Sequence, residues 1–141
     1  MKKALFLTFI ALFVMVVGMT SLFSINISSA LVGEWIRCED SNQHLEFQTN
    51  GRYHAVFEHS LGWIDTYGSF EVDESVNPHE VYYTISTIYI DGSQGRVGPA
   101  PGDEISGIWK INGSELTIFI NDDPWGDPPS DFSDGSCYNK Q

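Results

Sequence analysis

The chain has 141 residues, 7 Lys and Arg against 19 Asp and Glu, and a formal net charge of −12. That acidity argues against nucleic acid and anionic membrane surfaces as partners, because both are polyanions, and makes a basic protein the macromolecular partner it would favour. With only two cysteines and 13% aromatic residues, the composition suits one small domain with a single core.

The first thirty residues read as a secretory signal peptide. Lys2 and Lys3 form a basic start, the run from Ala4 to Val17 is apolar but short for a membrane span, and Ser28-Ser29-Ala30 supplies small residues at a cleavage position. An uncleaved anchor is the alternative, because Leu22, Phe23, Ile25 and Ile27 extend the apolar character. No cysteine stands at the cleavage region to take a lipid. Cleavage after Ala30 removes two lysines and leaves five cations against 19 acids, a net charge of −14. The expectation is an exported protein, periplasmic or extracellular, with no stable membrane span after cleavage.

From residue 31 onward, short runs of Val, Ile, Thr, Tyr, Phe and Trp are separated by Gly, Asn, Asp and Pro. No helical period is evident. The pattern predicts an all-β fold, an up-and-down antiparallel meander of seven or eight strands closing into a small barrel. Strands are predicted near 31–38, 43–49, 52–59, 62–73, 80–91, 104–111 and 114–121, with a short eighth near the C-terminus. The barrel is assigned to 31–121 and an acidic, Pro- and Asp-rich tail to 122–141. Gly33-Glu34-Trp35 opens the first strand, and a Gly-x-aromatic recurs at Gly51-Arg52-Tyr53, Gly68-Ser69-Phe70 and Gly107-Ile108-Trp109. Residues two apart share a face of a strand, so each motif puts a bare backbone beside a large ring, as a coiled sheet requires.

Alternation sets the register of two hairpins. At Asn50-Gly51, a three-residue loop with a bulge at Gly51 gathers Leu45, Phe47, Tyr53, Ala55 and Phe57 on one face. His44, Glu46, Gln48, Arg52, His54 and Glu58 then fall on the other. At Asn112-Gly113, a two-residue turn gathers Ile105, Gly107, Trp109, Ile111, Leu116, Ile118 and Ile120, with Ile108 and Phe119 as apolar exceptions outside. In the fourth strand Ile64, Thr66, Gly68, Phe70 and Val72 alternate against Asp65, Tyr67, Ser69, Glu71 and Asp73. Val81 to Ile90 is apolar or aromatic on both faces. Strict alternation there sets Tyr83, Ile85, Thr87 and Tyr89 against Tyr82, Thr84, Ser86, Ile88 and Ile90. Asp91 to Asp103 is rich in Gly and Pro and reads as a mobile loop or a lid.

The chemistry-bearing residues do not assemble into a catalytic motif. Cys38 and Cys137 are expected to form a disulfide in an oxidising compartment, since no Cys-x-x-Cys or further cysteine suggests metal or redox work. His44, His54, His59 and His79 lack metal-ligand spacing. Asp122, Asp123, Asp127, Asp131 and Asp134 suggest calcium by composition, yet no EF-hand pattern connects them. No Gly-x-Ser-x-Gly elbow frames a serine. The reading is of a non-enzyme with no cofactor and no metal.

The stretches "LVGEWIRCED", "LEFQTNGRYHAVFE", "YGSFEVDE" and "GIWKINGSELTIFI" resemble, in order and spacing, small bacterial lipocalin-like proteins of the calycin superfamily. The resemblance covers residues 31–121. It implies an up-and-down barrel whose interior holds a small hydrophobic ligand, with Trp35 plugging the closed end under a basic side chain from a late strand, for which Lys110 is the nearest candidate. Trp35, Phe47, Tyr53, Phe57, Phe70, Tyr83 and Trp109 are then the candidate pocket residues, and plain core is the competing role for each. Two alternatives remain: a barrel resembling exported bacterial proteinase inhibitors, which act through an extended N-terminal segment, and a ligand-free protein-interaction module.

Overall fold

The computed structural model describes residues 27–59, 62–91, 99–121 and 123–141; the leader up to residue 26 lies outside the described residues. Eight antiparallel strands follow one another around a closed barrel: β1 (Gly33–Arg37), β2 (His44–Phe47), β3 (Arg52–His59), β4 (Gly62–Asp73), β5 (His79–Asp91), β6 (Glu104–Asn112), β7 (Glu115–Asn121) and β8 (Ser136–Lys140). No helix among the described residues is long and apolar enough to cross a membrane. Closure leaves no open sheet edge where the ladder is complete. The core is the set of inward side chains, including Trp35, Leu45, Phe47, Tyr53, Phe70, Val72, Val81, Tyr83, Trp109, Leu116, Ile118 and Tyr138.

The first hairpin has the expected register, with Phe47 opposite Tyr53 and Leu45 opposite Ala55. Its loop is Thr49-Asn50-Gly51. The Gly51 N–H donates to the Gln48 carbonyl at 3.0 Å, and the Gln48 N–H to the Arg52 carbonyl at 2.8 Å. Gly51 has φ 78°, a left-handed conformation that glycine adopts without penalty. The second hairpin keeps the expected faces, but its two-residue loop is Gly113-Ser114 rather than Asn112-Gly113, because Asn112 pairs with Glu115. A shift of the loop by one position moves the partner by two, so every side chain stays on its side.

Strand β5 departs from strict alternation. Tyr67 pairs with Thr87 but Gly68 pairs with Ile85, so Ser86 is an extra residue opposite an unbroken β4. Beyond this bulge the parity flips. Val81, Tyr83 and Ile85 face inward below it; Ile88 and Ile90 face inward above it, opposite Thr66 and Ile64. Thr87 and Tyr89 point out, and Tyr89 is 63% exposed, which corrects the expected grouping of Tyr83, Ile85, Thr87 and Tyr89. The bulge lies beside Gly68, where a Cβ would sit 2.0 Å from the Thr84 carbonyl oxygen and 2.8 Å from Tyr53 Cε1. Here β4 and β5 close to a distance that only a bare backbone allows.

The C-terminal segment is structural. Its last residues form β8, which closes the barrel between β7 and β1, so the barrel reaches Lys140 rather than ending at residue 121. The stretch from Asp123 to Gly135 lies across the outside of β6 and β7. Ser106 Oγ donates to the Gly126 carbonyl at 2.9 Å, the Trp125 N–H to the Glu104 carbonyl at 2.8 Å, and Lys110 Nζ stands 4.7 Å from the Phe132 ring centre. This cover explains one apolar exception of the outer face: Ile108 is 1% exposed without belonging to the interior core. Cys38 and Cys137 form the expected disulfide at the head of the β1–β8 seam, 99 residues apart in sequence. Of the Gly- and Pro-rich connection, residues 92–98 lie outside the described residues. Its end is anchored by the Gly102 N–H on the Ile85 carbonyl at 2.7 Å.

Gly68→Ala is expected to lower unfolding free energy by about 2–3 kcal/mol in urea titration, because β5 backbone must move to admit the methyl group; Ser69→Ala, on the exposed side of the same strand, should leave it within about 0.5 kcal/mol. Cys38→Ser should cost up to about 4–5 kcal/mol under oxidising conditions, and the difference from wild type should vanish in reductant.

Candidate functional site

One end of the barrel is sealed. Trp35 is fully buried, its indole N–H donates to the Leu31 carbonyl at 2.7 Å, and Lys140 Nζ stands 5.1 Å from its ring centre. The basic side chain over the tryptophan therefore comes from β8. Lys110, the sequence candidate, points outward onto Phe132, as its place in the β6 alternation requires. Leu31 is buried and Ile27 packs against the same cluster. Ser28 is buried too, its hydroxyl donating to Glu74 Oε1 at 2.6 Å.

The middle of the barrel is filled with rings. Phe47 meets Phe70 edge-on at 4.9 Å, Tyr53 meets Tyr83 edge-on at 4.9 Å, and Phe47 lies 6.1 Å from Tyr83. These separations are those of favourable aromatic pairs. Trp109 closes one side, its indole N–H donating to the Glu80 carbonyl at 3.2 Å. Six of the seven sequence candidates are buried: Trp35, Phe47, Tyr53, Phe70, Tyr83 and Trp109. Phe57 is only half-buried, at the other end.

That other end is lined by apolar side chains that the described residues do not fully cover. Phe57, Ile105 and Ile120 pack against the core from above while remaining partly exposed. Ile88 and Ile90, turned inward by the bulge, are half-buried beside them. Across from this apolar wall stands a polar one that sequence reasoning missed. Arg37 follows Trp35 on the inward face of β1 and donates to Gln43 Oε1 at 2.6 Å. Gln43 in turn donates to Asp40 Oδ2 at 3.1 Å. The Asn42 backbone N–H, the Gln43 amide and the nearby Arg37 charge hold the Asp40 carboxyl below its usual range. The signal for this wall was available, since Arg37 and Gln43 keep the inward parity of Trp35 and Leu45; a charged residue simply reads as outward by default.

Hydroxyls line the depth between the two walls. Thr66 donates to the Thr87 carbonyl at 3.3 Å, so the Tyr53 hydroxyl, 3.2 Å from Thr66 Oγ1, is the donor of that pair. Tyr83 Oη is buried with no hydrogen-bond partner among the described residues. Burial, with Tyr53 and Tyr138 close by, holds its phenol well above the ordinary pKa. A buried hydroxyl without a partner carries a desolvation cost of about 1–3 kcal/mol.

Elsewhere the described ligand-type residues do not gather into a site. Among the described residues, Cys38, Glu115 and Cys137 bring three such atoms within 4.8 Å, but the disulfide occupies both sulfurs. Asp123, Asp127, Asp131 and Asp134 are exposed, and Asp131 is engaged in accepting the Ser133 N–H at 2.9 Å; Asp122 lies outside the described residues. His44 and His54 lie on the outer face as expected, their rings edge to face at 5.1 Å. A cleft of about 340 Å³ between β7 and the covering segment is lined by Phe119, Asn121, Pro129 and Asp131, and it lies outside the barrel. No family model, curated protein or solved structure matches the chain.

Tyr83→Phe removes the unpartnered hydroxyl and keeps the ring contacts. It is expected to leave the unliganded protein equally stable or more stable by about 1 kcal/mol in urea unfolding; a loss of stability would mean that the hydroxyl is already satisfied.

Proposed function

We propose that the chain is an exported, lipocalin-like binding protein that takes a small, mostly apolar molecule into the open end of its barrel. One observation carries this reading: an apolar mouth leads to a buried hydroxyl, Tyr83 Oη, that lacks a partner among the described residues. A ligand entering past Phe57, Ile88 and Ile120 would bury apolar surface, and a polar atom at its leading end would meet Tyr83. Apolar lining with a few placed polar groups is the usual make-up of small-molecule sites. Two features support the lipocalin-like resemblance itself, the buried Trp35 and the Lys140 ammonium above it. The interior rings already occupy much of the barrel, so the ligand is small and sits high. The proposed role is binding, with no catalytic step assigned to it.

The segment preceding β1 bears on the inhibitor alternative and on export. Inhibition through an extended N-terminal arm needs that arm free, whereas Ile27, Ser28 and Leu31 are packed on the sealed end. Removal of the leader upstream of Ile27 keeps these contacts; removal after Ala30 loses the first two. The disulfide suits an oxidising compartment, periplasmic or extracellular.

Titration with the neutral fluorescent probe N-phenyl-1-naphthylamine should give a saturable 1:1 signal, and Phe57→Glu at the mouth should weaken it at least tenfold while the melting temperature stays within a few degrees. Folded wild-type protein that gives no saturable signal would refute the mouth as a site.

A further inference from the structure

The outer face of β3, β4 and β5 carries a regular lattice of side chains that the barrel interior does not use. The register sets three rows across the strands: Glu58, Trp63 and Asp91; Val56, Asp65 and Tyr89; His54, Tyr67 and Thr87. Three of the rings in this lattice are exposed, Trp63 and Tyr67 at 36% and Tyr89 most of all. Tyr89 lies diagonal to both others across β4 and β5. Exposed aromatic groups clustered on one face of a soluble domain mark an interaction surface.

The lattice is also held in place. The His54 ring lies flat on Tyr67 at 4.2 Å with a 4° angle between planes, and His54 Nε2 is 2.9 Å from Asp65 Oδ1. The middle carboxylate and one outer ring therefore share a single support, which lowers the ordering cost of binding. Three carboxylates, Glu58, Asp65 and Asp91, alternate with the rings. Among the described residues the next cation on this face is Arg52, one row further along, opposite Ser69. Lys110 and Lys140 are engaged on other surfaces.

We infer that this face docks an extended, Lys- or Arg-bearing polypeptide segment of a partner protein. The chemistry is complementary at each position. Ring faces attract an ammonium or guanidinium by about 0.5–2 kcal/mol, and the carboxylates between them supply the ion pairs and exclude anionic partners. The spacing fits as well. Rows along β4 are two residues apart, roughly 6.8 Å, and an extended segment lying along the strand repeats its same-side side chains at that interval. A second copy of this acidic chain is disfavoured by like charge. This docking is independent of the proposed ligand site, since the two lie on opposite faces of the same strands.

The test is fluorescence anisotropy with a labelled Arg-Ser-Arg-Ser-Arg-Ser peptide, a Glu-Ser counterpart, and a neutral hexasaccharide, cellohexaose, as competitor. The Arg peptide should bind, the Glu peptide should not, and Tyr89→Ser or Asp65→Asn should each weaken binding at least fivefold without changing N-phenyl-1-naphthylamine binding or the melting temperature. The double change Trp63→Ser with Tyr89→Ser should weaken it at least twentyfold. Equal binding by wild type and the aromatic variants would overturn the inference, because net charge alone would then be responsible. Absence of peptide binding together with direct binding of cellohexaose in isothermal titration calorimetry would reassign the face to carbohydrate, and concentration-dependent dimerisation that Tyr89→Ser abolishes would reassign it to self-association.

Discussion

The barrel depends on its last seam. Strands β1 and β8 meet through only three residue pairs, Trp35 with Lys140, Ile36 with Asn139 and Arg37 with Tyr138, while β4 and β5 share eleven. The seam joins the two ends of the folded chain, so forming it closes the largest loop in the molecule and carries the largest loop-closure cost. The Cys38–Cys137 bond extends the seam by one position, where the Cys38 N–H already donates to the Cys137 carbonyl at 2.9 Å. A short ladder that would otherwise fray becomes permanent. Trp35 is sealed under Lys140 only because β8 is held there, and the mouth opposite keeps its shape only while the circle is closed.

The sealed and open ends follow from how the inward residues are distributed. Large rings and Leu31 fill the lower half, where nearly all strands are paired on both sides. Above Thr84, β5 no longer pairs with β6 within the described ladder, and above Val56, β3 no longer pairs with β2. The walls there are three strands wide, and their inner residues have fewer neighbours across the barrel. Partial exposure of Phe57, Ile88 and Ile90 is the direct result.

Strand positions, both hairpin faces and the disulfide were legible in the sequence because each rests on period-two patterning or on the pairing of the sequence's two cysteines. Phe47 and Tyr53 could be assigned to one face because their outward neighbours are polar. The bulge at Ser86 could not be read, because Val81 to Ile90 is apolar or aromatic on both sides and either parity satisfies it. Lys140 was missed for a different reason. The last twenty residues are so polar that their final strand, held by pairing and the disulfide more than by burial, resembles a tail. The cover over Ile108 depends on where an irregular segment lies, and periodicity carries no such information.

The extra residue at Ser86 has a consequence for how this surface can change over time. Below it β5 follows one phase, above it the other, and the upper phase assigns Ile88 and Ile90 to the mouth and Tyr89 to the outside. Removing that single residue would join Ile85 to Thr87 in an unbroken ladder and leave both sets on their present sides, whereas flattening the bulge with the residue kept would exchange them, turning a tyrosine into the mouth and two isoleucines into solvent. The interior and exterior faces of the upper barrel are therefore set together by the bulge. They share one phase setting, and only substitutions can tune one without rewriting the other.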